Sequence, residues 1–186
     1  MLLFWQDKEK HIVSLFRKGD SRAMDKLYME YADYLTGVCI RYISDEDEVK
    51  DVLQESFIHI FTQIHQFEYR GKGSLKAWIT KITINEALMH LRKEKAFLMP
   101  LEESVTGEIP EEDPDVEEVD TTILLACIQQ LPPGYRAVFN LFVIEEKSHK
   151  EIAEILQIQP STSASQFARA KQMLAQMIKN HKKKNR

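Results

Sequence analysis

Cationic and aromatic side chains alternate between residues 69 and 81, a mixture suited to holding nucleic acid. Trp78 stands among one further ring and four cations: Tyr69, Arg70, Lys72, Lys76 and Lys81. Cations hold phosphates, and rings or pockets receive unstacked bases, so the pattern favours contact with a single strand. The alternative is a solvated helix face, with Trp78 in the core or half in the core rather than serving as a stacking platform. The cations Arg92, Lys93 and Lys95 follow. They would also suit an ordinary helix end, because cations stabilise the negative end of a helix dipole.

A second pattern predicts a pair of helices on either side of Pro160. Residues 151–156 place Ile152, Ile155 and Leu156 inward, and Ala153 is small where two helices must approach closely. Pro160 supplies the fixed φ that suits the first turn of the next helix. This arrangement is typical of a helix-turn-helix, whose second helix enters the major groove of duplex DNA. A plain helical hairpin with a solvated face is the alternative.

The faces of that final helix follow from its spacing. The predicted buried stripe consists of Phe167, Ala170, Leu174, Met177 and Ile178. The side chains predicted to face the surface, and therefore duplex DNA, include Ser161, Ser165, Ala168, Arg169 and Gln172.

Covalent chemistry finds little support in the sequence. The acidic residues at 45–48, with Asp51 and Glu55, lie at the start of a predicted helix, and the six histidines lack the spacing of a metal site or a catalytic triad. No glycine-rich phosphate loop or nucleophile elbow occurs. Cys39 and Cys127 are far apart in apolar runs, which predicts reduced, buried thiols. We therefore expect neither an enzyme nor a bound cofactor or metal.

The elements that position these residues are predicted to be helices. Apolar residues make up 44% of the 186, with only 6 Gly and 6 Pro, which favours an all-α protein. Four amphipathic helices are expected before residue 97, with Gly19 ending the first and caps at Asp20 or Ser21, at Ser44 and at Ser74. A second helical unit should begin near Thr121 or Thr122, and Ser148 should cap the helix that precedes Pro160.

Charge is distributed very unevenly and divides the chain. Residues 1–96 are neutral, residues 97–122 carry ten acids and no Lys or Arg, and residues 123–186 have a net charge of +6. Three prolines stand among those acids, so we expect a flexible linker at 97–122. The predicted domains are therefore 1–96 and 123–186, two small helical domains of which the second is basic enough for DNA. Nothing resembles a signal peptide or a membrane span, which favours the cytoplasm and no membrane insertion.

Four short motifs, in this order and spacing, resemble those of the extracytoplasmic-function group of sigma-70 factors. Residues 27–31 are similar to L-Y-x-x-Y, and residues 51–57 to D-x-x-Q-E-x-F. Residues 78–85, followed by Leu91-Arg92-Lys93, are similar to W-L-x-x-I-A-x-N with a basic end. Residues 131–139 are similar to the L-P-x-x-x-R-x-V-F that opens region 4. The chain departs from the family at Gln157, where Gly is frequent, and at Ser163 and Ala164, a variant similar to that of Bacteroidetes members.

The resemblance implies a transcription initiation factor with a region 2 bundle and a region 4 helix-turn-helix. It implies that core RNA polymerase binds through its β′ clamp coiled coil and its β flap, the former against Asp51, Gln54 and Glu55. It implies contacts to the promoter −10 element, including capture of a flipped base, from Tyr69, Arg70, Lys72, Ser74, Lys81, Asn85 and Arg92. It implies contacts to the −35 duplex from Lys150, Ser161, Thr162, Ala164, Ser165, Ala168 and Arg169. A membrane-bound anti-sigma factor is a further partner of such proteins.

Two other functions remain open from the sequence. One is a two-domain DNA-binding regulator that never touches polymerase, and binding to core polymerase without DNA would exclude it. The other is a helical adaptor with a degenerate helix-turn-helix, which promoter-specific transcription would exclude.

Overall fold

Helices account for all the regular structure of residues 7–93 and 120–184, the parts of the chain that the computed structural model describes. They are α1 (Lys8–Arg17), α2 (Ala23–Cys39), α3 (Glu46–Gln63), α4 (Ser74–Lys93), α5 (Thr121–Gln129), α6 (Pro133–Val143), α7 (His149–Leu156) and α8 (Pro160–Lys184), with a single 3-10 turn at Ile64–Gln66. The all-α prediction is confirmed. Most of the acidic segment 97–122, and Lys95 with it, lies outside the described residues.

The chain divides into two compact units, one of residues 1–40 and 45–87 and one of residues 41–44 and 88–186. The core of the first unit is built from the apolar stripes of α1 to α4. Leu27, Leu35, Ile60, Leu75 and Ile79 are fully enclosed. The expectation of amphipathic helices before residue 97 is confirmed, because each helix has one apolar face to bury.

Tyr34 lies on α2 but stays outside the core. Its side chain is 37% exposed, the Lys76 ammonium lies 4.0 Å from its ring centre, and its hydroxyl is 3.1 Å from the Thr80 hydroxyl. The phenol therefore packs along α4 instead of entering the core.

The helix boundaries follow local hydrogen bonding, and some predicted caps are wrong by one or more residues. Gly19 has φ 68°, and it follows α1 in the left-handed conformation that favours glycine, as predicted. The α2 helix begins only at Ala23, without a side-chain cap, because Asp20 instead accepts the Arg22 amide within the preceding turn. Asp45, not Ser44, caps α3 by accepting from the Asp47 and Glu48 amides.

The second unit packs α8 against α5, α6 and α7 around a separate apolar core. Cys127, Leu131, Ala170 and Leu174 are buried there, so the predicted inner face of α8 is confirmed in its main members. Arg136, only 3% exposed, donates to the Gln129 carbonyl at 2.8 Å, which joins the end of α5 to α6.

The turn between α7 and α8 has the geometry that the sequence indicated. Ser148 caps α7 in a reciprocal capping box with Glu151. Gln157 ends α7 with φ 57° and ψ 44°, in the left-handed region that favours glycine. Pro160 then occupies the first position of α8.

Candidate nucleic-acid and polymerase interfaces

The loop between the 3-10 turn and α4 presents its cations to solvent. Arg70 and Lys72 are exposed, and the Arg70 guanidinium lies 3.5 Å from the equally exposed Glu68 carboxylate, a pairing that solvent makes weak. Gly71 and Gly73 have φ of 117° and 92°, a region in which other residues are strained. The turn therefore depends on glycine at both positions.

Both ends of this loop are attached to the first turn of α1. The Tyr69 hydroxyl donates to the Asp7 carboxylate, and the Glu9 carboxylate accepts from the amides of Gly73 and Leu75 at 2.9 and 3.1 Å. The hydrogen bond from Tyr69 lowers the pKa of Asp7, and the same bond raises the pKa of Tyr69 to about 12. The hydroxyl of Tyr69 thus holds the loop in place.

Ser74 does not cap α4, contrary to prediction. Its hydroxyl accepts from the Arg70 amide at 3.2 Å and donates to the Gly71 carbonyl at 2.6 Å, which closes the loop on itself. The amides at the start of α4 are satisfied by Glu9 instead.

The predicted −10 side chains on α4 share one face. Ser74, Lys81, Asn85 and Arg92 are spaced by seven, four and seven residues, which places them within an arc of about 40° on a helix. Lys81 and Asn85 are exposed, and Arg92 is half-buried. The exposure of Asn85 argues against a role as a core amide.

Trp78 lies beside this face on α4. It is half-buried, packs on the core of the first unit, and lies 5.0 Å from the Phe67 ring, centre to centre. The expectation that Trp78 lies in or half in the core is confirmed.

The predicted polymerase-binding residues lie together on α3. Asp51, Gln54 and Glu55 are all exposed. Ile58 continues the same face at helical spacing and is 44% exposed, so the face also carries an exposed apolar side chain that the sequence motif did not single out. Next to this helix, the exposed ring of Tyr28 packs on Phe57 with a centre-to-centre distance of 4.8 Å.

The α7–α8 pair presents most of its predicted −35 side chains outward. Lys150, Ser161, Ala164 and Ser165 are exposed, whereas Thr162, Ala168 and Arg169 are half-buried. The Arg169 guanidinium donates to the Tyr135 hydroxyl at 3.2 Å, which places Arg169 at the edge of this face rather than at its centre.

Ser163 belongs to the interior of the helix-turn-helix. It is fully buried, and its hydroxyl lies 2.9 Å from Nδ1 of His149, whose ring stacks on Phe142 with the centres 4.6 Å apart. A hydrogen bond thus joins α7 to α8 at Ser163.

Sequence reasoning missed three groups that shape these surfaces, namely Asp7, Glu9 and the His149–Ser163 pair. Asp7 and Glu9 carried a weak signal, as acids at a helix start, but their partners lie more than 60 residues away. Within the described residues no cluster of His, Cys, Asp or Glu could hold a metal ion. Nor do the described residues include a helix with the length and apolar character needed to span a bilayer.

Comparison with known proteins identifies both units. Residues 27–97 match the model for sigma-70 region 2, and residues 121–174 match that for sigma-70 region 4, which together cover more than half of the chain. The RNA polymerase sigma-H factor of Pseudomonas aeruginosa is 29% identical over 184 residues, covering 91% of this chain and 93% of that protein. The extracytoplasmic-function sigma factor SigW of Bacillus subtilis is 28% identical, covering 92% and 97% respectively.

Solved structures show the same fold. CnrH, in a complex with the cytosolic domain of CnrY, aligns with a TM-score of 0.51 at 19% identity, covering 94% of this chain and 99% of its own. RpoE of Bartonella quintana, solved with the anti-sigma factor NepR, aligns with a TM-score of 0.50 at 18% identity, covering 85% and 98%. The two matched regions, in their order along the chain, and the full-length relatives show that the chain belongs to the extracytoplasmic-function group of the sigma-70 family, the RNA polymerase sigma factors of transcription initiation.

Proposed function

We propose that this sigma factor has three binding surfaces, each for a different partner. The α3 face of Asp51, Gln54 and Glu55 binds the β′ clamp coiled coil of core polymerase. The loop at 69–74 and the aligned face of α4 bind the −10 element, and α7 with α8 binds the −35 duplex. The observation that carries the proposal is the alignment of Ser74, Lys81, Asn85 and Arg92 on one face of α4, next to a loop with two exposed cations.

The −10 surface suits a strand whose bases leave the stack. Unstacking a base costs a few kcal/mol, which contacts to that base and to its phosphates must offset. Arg70, Lys72 and Lys81 provide cations for the backbone, and the exposed amide of Asn85 can both donate to and accept from a base edge. None of these groups is arranged for covalent chemistry, so we infer that the protein itself is not an enzyme and that polymerase makes the RNA.

The −35 surface suits a duplex. Small side chains at Ala164, Ser165 and Ala168 allow close approach to the groove, and their methyl and hydroxyl groups can contact thymine or hydrogen-bond to base edges. Lys150 at the start of α7 and Arg169 at the edge of α8 are placed to hold phosphates.

The proposal includes the domain boundaries and two further partners. We place region 2 at residues 1–96, an acidic linker at 97–122 and region 4 at 123–186, with the β flap of polymerase as the partner of region 4. Since CnrH and RpoE were solved with CnrY and the anti-sigma factor NepR, an anti-sigma factor is proposed here too. Polymerase and promoter DNA share the bacterial cytoplasm, which is where the factor would act.

Promoter opening by variant holoenzymes tests the −10 assignment. The probe is a promoter selected from a randomised duplex library by the wild-type holoenzyme, with opening followed by permanganate reactivity of unpaired thymines. Arg70→Ala or Asn85→Ala should slow opening by about tenfold, equivalent to about 1.4 kcal/mol, without changing affinity for a duplex −35 fragment.

Lys93→Ala is the matched control, because Lys93 is an exposed cation of α4 that lies off the aligned face. Opening at the wild-type rate in both Arg70→Ala and Asn85→Ala would contradict the assignment. An equal loss in the −35 assay would show that the substitutions act on the fold.

A further inference from the structure

We propose that Glu9, assisted by Asp7, is a positioning residue for promoter opening. Its buried carboxylate fixes the loop at 69–74 and the first turn of α4 in the shape that receives the unstacked base. The inference rests on the proposed −10 role of that loop and assigns a function to α1, which lies outside the residues matched by the region 2 family model.

Glu9 is an enclosed carboxylate whose oxygens are directed at the start of α4. Its residue is 8% exposed, and it accepts from the amides of Gly73 at 2.9 Å, Leu75 at 3.1 Å and Lys76 at 3.4 Å. The Tyr31 hydroxyl donates to it at 3.4 Å from α2. One side chain therefore joins three elements of the first unit.

The bonding pattern makes Glu9 the cap of α4, supplied from more than 60 residues away. The first amides of a helix have no partner within the helix, and a negative charge there is favoured by the helix dipole. Ser74, the local candidate for this role, uses its hydroxyl on Arg70 and Gly71 within the loop. A distant carboxylate thus fixes both the direction of α4 and the end of the loop.

Asp7 holds the other end of the same loop. It caps α1 by accepting from the amides of Glu9 and Lys10 at 3.1 and 3.3 Å, and it also accepts the hydroxyl hydrogen of Tyr69. The loop is consequently attached to one turn of α1 at Tyr69 and at Gly73.

The attachment has a consequence for opening rather than for stability alone. Gly71 and Gly73 give the loop a wide choice of backbone conformations, so the contacts from α1 are needed in addition to the Ser74 hydrogen bonds to hold one shape. A loop that has to be ordered during base capture adds an entropic cost to that step. Loss of the Glu9 contacts should therefore slow opening while leaving the α3 and α8 surfaces unchanged.

The test compares Glu9→Ala and Glu9→Gln with wild type in full-length protein and holoenzyme. Amide hydrogen exchange should speed up at Gly73, Leu75 and Lys76 in Glu9→Ala, and opening of the selected promoter should slow by about fivefold to tenfold. Affinity for core polymerase and for the −35 duplex should stay within about twofold of wild type. Glu9→Gln keeps an acceptor oxygen, so it should restore part of the opening rate, which a merely structural loss would not predict.

Glu30→Gln is the matched control. It removes an exposed carboxylate of α2 that bonds to Lys8 on α1, the helix of Glu9, and does not bond to the loop. If Glu9→Ala does not fold, Asp7→Asn tests the other attachment with the same readouts. Opening at the wild-type rate in the Glu9 variants while Arg70→Ala is slow would overturn the inference and leave the −10 assignment standing. Wild-type opening in Arg70→Ala as well would overturn both, and a parallel fall in core affinity would show that Glu9 is only structural.

Discussion

Arg169 shows how a contact inside the fold can refine an assignment made from helical spacing. Its guanidinium bonds to the Tyr135 hydroxyl at 3.2 Å, so the side chain is held at the edge of the α8 face. An arginine in that place is suited to a phosphate, whereas we propose that the small residues at the centre of the face approach the bases.

We therefore expect Arg169→Ala to weaken binding by a similar factor on every −35 sequence in a small panel. The slope of log affinity against log salt should fall by about one, as for the loss of one phosphate contact. Tyr135→Phe keeps the charge and should cost less than Arg169→Ala. A loss of affinity confined to one base position would identify Arg169 as a base reader. Unchanged affinity together with an unchanged salt slope would mean that this face does not contact DNA.

Gln157 carries backbone strain that a single substitution should relieve. A side chain in the left-handed region costs about 1–2 kcal/mol, and glycine recovers this at an entropic cost of about 0.5–1 kcal/mol. Gln157→Gly should therefore raise the free energy of unfolding of the second unit by about 0.5–1 kcal/mol in chemical denaturation. Gln157→Ala, which keeps a Cβ, should bring no gain, and a gain of equal size there would contradict the explanation.

Individual residues also show where prediction from the sequence reached its limit. The Ser148 cap of α7 was predictable, because it depends only on Ser148 and the next few residues. The burial of Ser163 was not, since its partner His149 lies on another helix and a serine at that spacing suits either face. For Glu9, the decisive amides belong to residues 73 to 76, and no spacing rule connects such distant positions.

Among the elements, α3 carries the most direct prediction about a protein partner, which is core polymerase. Gln54→Ala combined with Glu55→Lys should abolish binding to core polymerase, because it reverses a charge and removes an amide on the proposed contact face. The thermal midpoint should change little, since both side chains are exposed while the neighbouring Val52 and Phe57 form the core. Gln66→Ala with Glu68→Lys makes the same change at exposed positions off α3 and should bind core polymerase normally. Equal affinity of the α3 variant and wild type would contradict the role of this face.

The helices themselves were largely predictable because each depends on short-range information. The apolar stripe of α8 identified its buried face, and Gly19, Ser148 and Pro160 marked boundaries through local hydrogen bonding and fixed φ. Caps were less predictable. Ser44 and Asp45 are adjacent, and either side chain could have capped α3. The cap of α4 came from Glu9 on a different helix, α1.

At the scale of the whole molecule, two independent helical units with different surface chemistry are assigned to one process. The first unit bears the acidic α3 face and the basic loop with α4 as far as Ala87, and the second bears a small-residue helix flanked by cations. Family membership follows from both matched regions, while the similarity to Bacteroidetes-type members and the residue-level contacts stay predictions.

The central claim is that this chain directs core polymerase to specific promoters. Run-off transcription with core RNA polymerase of the parent organism, on a randomised promoter library, tests it most directly. With the wild-type factor, we predict transcripts only from templates that share −35 and −10 sequences. Core polymerase alone should give none of them, and addition of Gln54→Ala with Glu55→Lys should give background. Transcripts with no shared promoter sequence, or no transcription above core polymerase alone, would contradict the account.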